Sequence, residues 1–495
     1  VKSIDNKISQ QGFQIGLVAL CLLLQFPNRL LAQNSSSDRV IANKKERICQ
    51  TNLSQKIAAI VDRPQWARSH WGIAIETLKT KRILYQLNSD RYFIPASNTK
   101  LLSSAAVLSN LGADFKIETS FYAKSNAPNL NSLRVVGRGD PTLTLASLKT
   151  VAQQLKERGV KKIEELVIDD SYFPNPTIND SWEWGDVYFD YGVIPHSLIL
   201  EENTVNLTIT PQEIGKPIKL AWSDKIASKQ WKMQNYAKTV EKGKPYTISV
   251  QANLGNSVLE IRGELPIDSE PDIWGLAIPD PNRYFLISWR QILGEAGIEV
   301  DRARVIKNNT KIDINETEIA KLQSPPLAEL IKKVNGDSNN LVAETLLEIV
   351  AKEKQQDKLS IIDRTMTELG VDRSGYTLND GSGLSRQNLI APNTLITILR
   401  SLFDNKIYHQ SLAVAGTSGT LKKRFVDTPL QGLVFAKTGT LKGITTLSGY
   451  LEIPDREPIV FSIMLNNSIA NTTEMRSTID EILLLVREDI SCLGG

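Results

Sequence analysis

The chain of 495 residues carries 58 lysines and arginines against 55 aspartates and glutamates, and 41% of it is hydrophobic. That length exceeds what one hydrophobic core usually supports, so about two or three domains are expected. The near-balance of charge gives no reason to expect a nucleic-acid partner or a polybasic membrane patch, and the composition is that of a globular protein.

The first segment reads as a targeting signal. Lys2 and Lys7 precede an apolar run over 15–26, followed by Leu30, Leu31 and Ala32 and then polar residues. The run is short for a membrane span and fits a secretory signal over 1–32, cleaved near Ala32. An uncleaved segment is the alternative, and would be the only membrane tie expected. Either way the body of the protein is expected to be periplasmic or otherwise extracytoplasmic. Cys21 sits among leucines, unlike a lipid-modified cysteine. Cys49 and Cys492 remain, as a disulfide between the two ends or as two free thiols. Neither has the neighbours of a metal or redox site.

Apolar spacing predicts an amphipathic helix over 52–62 and two short strands within 71–87. Asp90–Pro95 then leads into Ser97-Asn98-Thr99-Lys100 and a Leu/Ala run that favours helix. Ser97 suits a helix N-terminus, and Lys100 three residues on shares its face. A hydroxyl beside an amine is a nucleophile beside a base, and a helix N-terminus favours the deprotonated serine and the neutral lysine. Alone this pattern is weak, since Ser-x-x-Lys also occurs on ordinary surface helices.

Residues 112–320 alternate in short segments punctuated by Gly, Pro, Asn and Asp, which predicts a strand-rich region. The aromatic group Trp182, Trp184, Tyr188, Phe189 and Tyr191 within it reads as core or interface. Helical spacing returns over 326–354, 358–370 and 391–403. Strands follow at 433–437, 447–453 and 459–465, and a helix over 475–486 closes the pattern. The expected organisation is a helix-rich domain, 45–111 joined to 321–492, interrupted by one or two β-rich insertion domains over 112–320.

Two further triplets change the weight of the first. Ser338-Asn339-Asn340 is expected on a helical turn, and Lys437-Thr438-Gly439 at the end of a strand, followed by Thr440. Together and in this order, the three motifs occur in serine β-lactamases and penicillin-binding proteins. The runs Gly137-Arg-Gly-Asp-Pro-Thr-Leu, Asp380-Gly-Ser-Gly-Leu-Ser-Arg386 and Ala415-Gly-Thr-Ser-Gly-Thr-Leu extend the likeness over nearly the whole chain after the signal. The sequence resembles the class C low-molecular-mass penicillin-binding proteins, the D-alanyl-D-alanine carboxypeptidases/endopeptidases of peptidase family S13. The long separation of Lys100 from Ser338 supports that subclass.

The resemblance implies an α/β (α+β) serine transpeptidase/β-lactamase-like domain, with a five-stranded antiparallel sheet flanked by helices and a large β-rich insertion. It implies a serine D-Ala-D-Ala carboxypeptidase, with endopeptidase activity alongside, acting on peptidoglycan stem peptides and acylated by β-lactams. Ser97 would attack the carbonyl, Lys100 would take its proton, and Ser338 would relay a proton to the leaving amine. An ordinary lysine is protonated at neutral pH, so burial and a second cation, Lys437, must lower the pKa of Lys100. Asn340 would hold the acyl-side amide, and Lys437, Thr438, Gly439 and Thr440 the terminal carboxylate region. The backbone N–H groups of Ser97 and Thr440 would form the oxyanion hole, worth roughly 2.7–4 kcal/mol per donor in other acyl-transfer enzymes.

The family also suggests a pocket for the stem peptide's diamino acid, with Asp186 receiving the amine and Tyr191, Arg386 and Lys442 lining it. Tyr191 and Lys442 depart from the Phe and Gln of the best-studied pattern. Asp140 reads as a turn residue. Asp380-Gly-Ser-Gly is open between a turn and a ligand loop. His70, His196 and His409 have no triad context, there is no His-Glu-x-x-His, and no phosphate-binding glycine loop occurs, so no metal or organic cofactor is implied. The competing reading is a cell-wall-binding or penicillin-sensing protein that acylates and stops.

Overall fold

The computed structural model describes residues 53–173, 178–252, 257–307 and 315–491. The signal segment and both Cys49 and Cys492 lie outside them. A helix over 53–61 (α1) is followed by strands β1 (His70–Thr77) and β2 (Ile83–Leu87), paired antiparallel. A single 3-10 turn, Ala96–Thr99, then precedes α2 (Lys100–Leu111). This corrects the expectation that Ser97 caps a helix. The α-helix begins at Lys100, and Ser97 lies in the tighter turn before it with no side-chain capping bond. Leu101, Leu102, Ala105, Ala106, Val107 and Leu108 are all buried, so α2 is a central core helix rather than an amphipathic surface one.

The insertion contains β3 (Glu118–Lys124), β4 (Asn129–Val136), α3 (Leu145–Glu157) and β5 (Lys162–Asp169), then short strands in smaller sheets. It continues with α4 (Pro281–Glu295), β6 (Glu299–Ile306) and β7 (Thr317–Gln323). The largest sheet here is mixed, in the order β6-β5-β4-β3-β7. The region is β-rich as expected, but α3 and α4 escaped the strand-based reading. Thr144 caps α3 through Ser147 N, and Asp280 with Pro281 starts α4, so both begin on ordinary N-terminal signals. Phe121, Leu148, Leu166, Phe285 and Trp289 belong to one hydrophobic cluster that joins these helices to the strands.

The chain returns through α5 (Leu327–Asn335), α6 (Asn340–Lys354), α7 (Lys358–Glu368) and α8 (Pro392–Leu402). It then adds β8 (Ala413–Val414), β9 (Val434–Leu441), β10 (Ile444–Leu451), β11 (Ile459–Asn466) and α9 (Thr472–Ser491). These strands join β1 and β2 in one antiparallel sheet, β8-β9-β10-β11-β1-β2. Five strands are substantial, and two-residue β8 adds a sixth on the edge.

Period-two alternation sends the two faces of this sheet into different cores. Ile73, Ile75, Leu447, Leu451, Ile463 and Leu465 pack with Ile57 of α1 and Ile479, Ile482 and Leu483 of α9. Ala74, Tyr450, Val460 and Met464 face α2, α5, α6, α7 and α8. Each large side chain so buried stabilises by roughly 1.5–3 kcal/mol before entropy is counted. Helices on both faces of a sheet leave the edge near β9 and the start of α2 as the place where polar groups converge.

Candidate active site

On the α2 side of β10, the residues alternating with Leu447 and Leu451 include Thr446 and Ser448. Thr446 Oγ1 donates to the Pro95 carbonyl at 2.9 Å, and Asn98 Nδ2 donates to Ser448 Oγ at 2.8 Å. These bonds pin the 3-10 turn carrying Ser97 against the sheet. Close approach from both sides requires glycine. A Cβ on Gly439 would meet Thr446 Oγ1 and the Pro95 carbonyl, and one on Gly383, at φ +83°, would collide with the Ala96 carbonyl.

Lys100 begins α2 with its side chain buried. Its Nζ lies 3.0 Å from Ser97 Oγ, 2.6 Å from Asn340 Oδ1 and 2.5 Å from the Ser382 carbonyl oxygen. Burial lowers its pKa from 10.5 to about 7, with Asp380 and Glu344 partly opposing the shift. A buried ammonium loses its hydration, which is why the neutral amine gains.

Lys437 is equally buried. It donates to Ser338 Oγ at 2.8 Å and to the Thr438 carbonyl at 2.9 Å. Burial and the neighbouring Lys100 charge push its pKa well down, with Asp337 opposing. The Lys437-Thr438-Gly439 triplet lies within β9 rather than at a strand end, as does Thr440. Thr438 Oγ1 and Thr420 Oγ1 are 2.8 Å apart, and Arg476 donates to Thr440 Oγ1 at 3.1 Å. Lys437, Thr438 and Thr440 therefore bring an amine, hydroxyls and a nearby guanidinium to one strand, a set suited to a carboxylate.

Ser338 stands in the connection between α5 and α6 with φ +65°, a conformation uncommon for a non-glycine residue. Asn339, not Ser338, caps α6 by accepting from Val342 N at 2.9 Å. Asn339 Nδ2 also donates to Glu202 Oε2 of the insertion at 2.8 Å. Asn340 is the first residue of α6, and its Nδ2 donates to the Tyr191 carbonyl at 2.8 Å. The structure thus gathers Ser97, Lys100 and Asn340 in one hydrogen-bonded group. Ser338 and Lys437 form an adjoining pair; the Lys100 charge acts on Lys437, whereas the shift of Lys100 comes from burial rather than from the expected second cation, Lys437.

Asp186 and Tyr191 lie on neighbouring 3-10 turns, with the Tyr191 hydroxyl donating to Asp186 Oδ1 at 3.3 Å. Asp186 is half-buried, and burial and Glu183 raise its pKa while Tyr191 and Arg386 oppose. Arg386 pairs with Glu183 at 2.5 Å and donates to the Lys442 carbonyl at 3.3 Å. The Lys442 side chain is exposed. Asp186, Tyr191 and Arg386 are thus linked, with Tyr191 reaching Asn340 through its carbonyl and Lys442 joined through its own carbonyl; Glu183 is an acid the sequence reading missed. The aromatic group divides: Trp182 is buried, whereas Trp184 and Tyr191 are exposed. Asp140 holds a turn through Thr142 N and Oγ1, as expected.

The sequence reading also missed Glu344, Ser382, Thr420 and Arg476. Ser382 and Thr420 lay inside runs already singled out, but their spacing alone did not tie them to Lys100 or Thr438.

A model of the D-Ala-D-Ala carboxypeptidase 3 (S13) family matches residues 53–486. Penicillin-sensitive carboxypeptidase A of Dictyostelium discoideum is 32% identical over 450 residues, covering 82% of this chain and 84% of that protein. The D-alanyl-D-alanine carboxypeptidase of Actinomadura sp. (strain R39) is 30% identical over 443 residues, covering 84% and 81%. The crystal structure of penicillin binding protein 4 (dacB) from Haemophilus influenzae has the same fold, with a TM-score of 0.76, 23% identity and coverage of 88% of this chain and 98% of that one. With its family match spanning nearly all the described residues, the chain belongs to the D-Ala-D-Ala carboxypeptidase 3 (S13) family.

Proposed function

We propose that the protein is a serine D-Ala-D-Ala carboxypeptidase that also cleaves cross-links as an endopeptidase, with Ser97 as nucleophile and Lys100 as its base. The observation that carries this is the buried Lys100 amine, 3.0 Å from Ser97 Oγ and with its pKa lowered to about 7. Ser97 Oγ attacks the penultimate D-alanine carbonyl as its proton passes to Lys100. The proton returns to the departing amine through Ser338, which Lys437 holds by a hydrogen bond. Water then opens the acyl-enzyme.

The oxyanion is assigned to the backbone N–H groups of Ser97 and Thr440. Support comes from the tight packing of Gly439 on the Pro95–Ala96 backbone, which brings the β9 backbone to the Ser97 turn. Asn340 takes the acyl-side amide, and Lys437, Thr438 and Thr440 take the terminal carboxylate. Asp186 takes the stem peptide's side-chain amine, with Tyr191, Arg386 and Lys442 around it. The substrates are peptidoglycan stem peptides, and β-lactams acylate the same serine. The discontinuous catalytic domain is assigned to 45–111 and 321–492 around the 112–320 insertion, with the second boundary moved to Gln323 because β7 pairs with β3 to its end; export to the periplasm or another extracytoplasmic space is assigned to the 1–32 signal.

The test combines fluorescent-penicillin labelling with D-alanine release from diacetyl-Lys-D-Ala-D-Ala. The parent should show both, and Ser97→Ala neither. Labelling retained by Ser97→Ala rejects Ser97 as nucleophile. Labelling of the parent without D-alanine release favours the binding or sensing alternative.

A further inference from the structure

Two buried carboxylates lie behind Lys100 and touch neither Ser97 nor the groups assigned to substrate. Glu344, in α6, is only 2% exposed. One of its oxygens accepts the Gly381 N–H at 2.9 Å and the Ser382 N–H at 2.7 Å. Asp380 accepts from Gly383 N, Ser385 N, Asn388 Nδ2 and Trp182 Nε1 at 2.6–2.9 Å. Ser103 Oγ donates to the Gly381 carbonyl at 2.7 Å. The 380–385 loop is therefore wound on two carboxyl groups, and the carbonyl left pointing inward is that of Ser382, 2.5 Å from Lys100 Nζ.

The second acceptor on Lys100 is equally fixed. Asn340 Nδ2 donates to the Tyr191 carbonyl, which settles the orientation of the amide and leaves Oδ1 facing the amine. Asn340 and Glu344 are four residues apart on one face of α6. A neutral amine has two N–H bonds and one lone pair. Two oxygens that can only accept, at 2.5 and 2.6 Å, use both N–H bonds. The lone pair is left for the third neighbour, Ser97 Oγ.

We infer that Glu344 is a positioning residue for acyl transfer: it holds the Gly381 and Ser382 N–H groups while Asp380 holds the Gly383 N–H of the peptide that carries the Ser382 carbonyl, so that this carbonyl and Asn340 Oδ1 turn the Lys100 lone pair onto the Ser97 hydroxyl. In that step the Ser97 proton moves to Lys100 as the Oγ–carbon bond forms. The inference rests on the assignment of Ser97 and Lys100 above. The charges bearing on Lys100 are Asp380 and Glu344; Lys100 in turn acts on Lys437, which Asp337 faces, and Lys358, paired with Glu348, lies 3.9 Å from Glu344. Burial and Asp380 raise the pKa of Glu344 itself, with Lys358 and Ser382 opposing, and its charge favours the Lys100 ammonium, so removing that charge lets the amine titrate at lower pH.

The test follows acylation by a fluorescent penicillin across pH 5–9, per molecule of folded protein, for the parent, Glu344→Leu and Glu344→Gln. Glu344→Leu removes the oxygen that holds the two N–H groups, and its plateau rate should fall about 100-fold. Glu344→Gln keeps an oxygen there. It should recover most of the rate while its acidic limb moves down by about half a pH unit or more. A folded Glu344→Leu at nearly the parent rate overturns the inference, and so does an unmoved limb in Glu344→Gln. If Glu344→Leu does not fold, the Glu344→Gln limb alone decides. A parent that is never acylated would instead refute the reading of Ser97 and Lys100.

Discussion

Lowering the pH should switch off acylation in a way that reports Lys100 directly. An ordinary lysine with a pKa of 10.5 is neutral in only about one molecule in 3,000 at pH 7. With the pKa near 7, about half the molecules carry the reactive amine, a gain on the order of 1,500-fold. The neutral fraction then falls to about a tenth at pH 6 and about a hundredth at pH 5. The second-order rate of acylation by a penicillin, whose carboxylate stays ionised over this range, should fall tenfold per unit below an inflection near pH 7. Stopped-flow fluorescence from pH 5 to 9, with circular dichroism as a check on folding, measures it. A rate flat from pH 5 to 9 would show that no amine of this pKa is the base, and an inflection near 10 would show that burial does not neutralise it. The same shift bears on stability. Between about pH 7 and 10.5 the unfolded chain holds a proton on this lysine that the native state does not, so Lys100 adds a term that raises stability as pH rises through that window.

Trp182→Phe removes the indole donor from buried Asp380 and should cost about 1–3 kcal/mol in urea unfolding. A loss near zero would mean that the insertion does not brace the 380–385 loop. Asp186→Asn should lower the preference for a stem peptide with a free side-chain amine over its acetylated form. The change should be a few-fold only, since Asp186 is half-exposed. An unchanged ratio of kcat/KM for the two substrates would remove Asp186 from that role.

The sheet and helices of the catalytic region were legible because their apolar periods are strong: β11 alternates between two cores, and α5 and α8 carry clear amphipathic faces. The insertion was harder. Its helices α3 and α4 lie among short strands, where Gly and Asn punctuation dominated the pattern. The start of α2 was misplaced because local propensity made Ser97 an N-cap, whereas the packing of β10 and Gly439 holds residues 96–99 in a 3-10 turn.

The sequence by itself determined the cast of the site: three short motifs whose residue types suit a nucleophile, an amine and a carboxylate grip. It also determined the alternation that builds the central sheet, because hydrophobic period is a local property of the chain. Only the tertiary structure decided what makes Lys100 a base. Its desolvation comes from α2 lying at the centre of a core, and its two N–H acceptors come from residues 240 and 282 positions away. Burial and lone-pair direction are set by how distant segments pack, and no spacing along the chain records them.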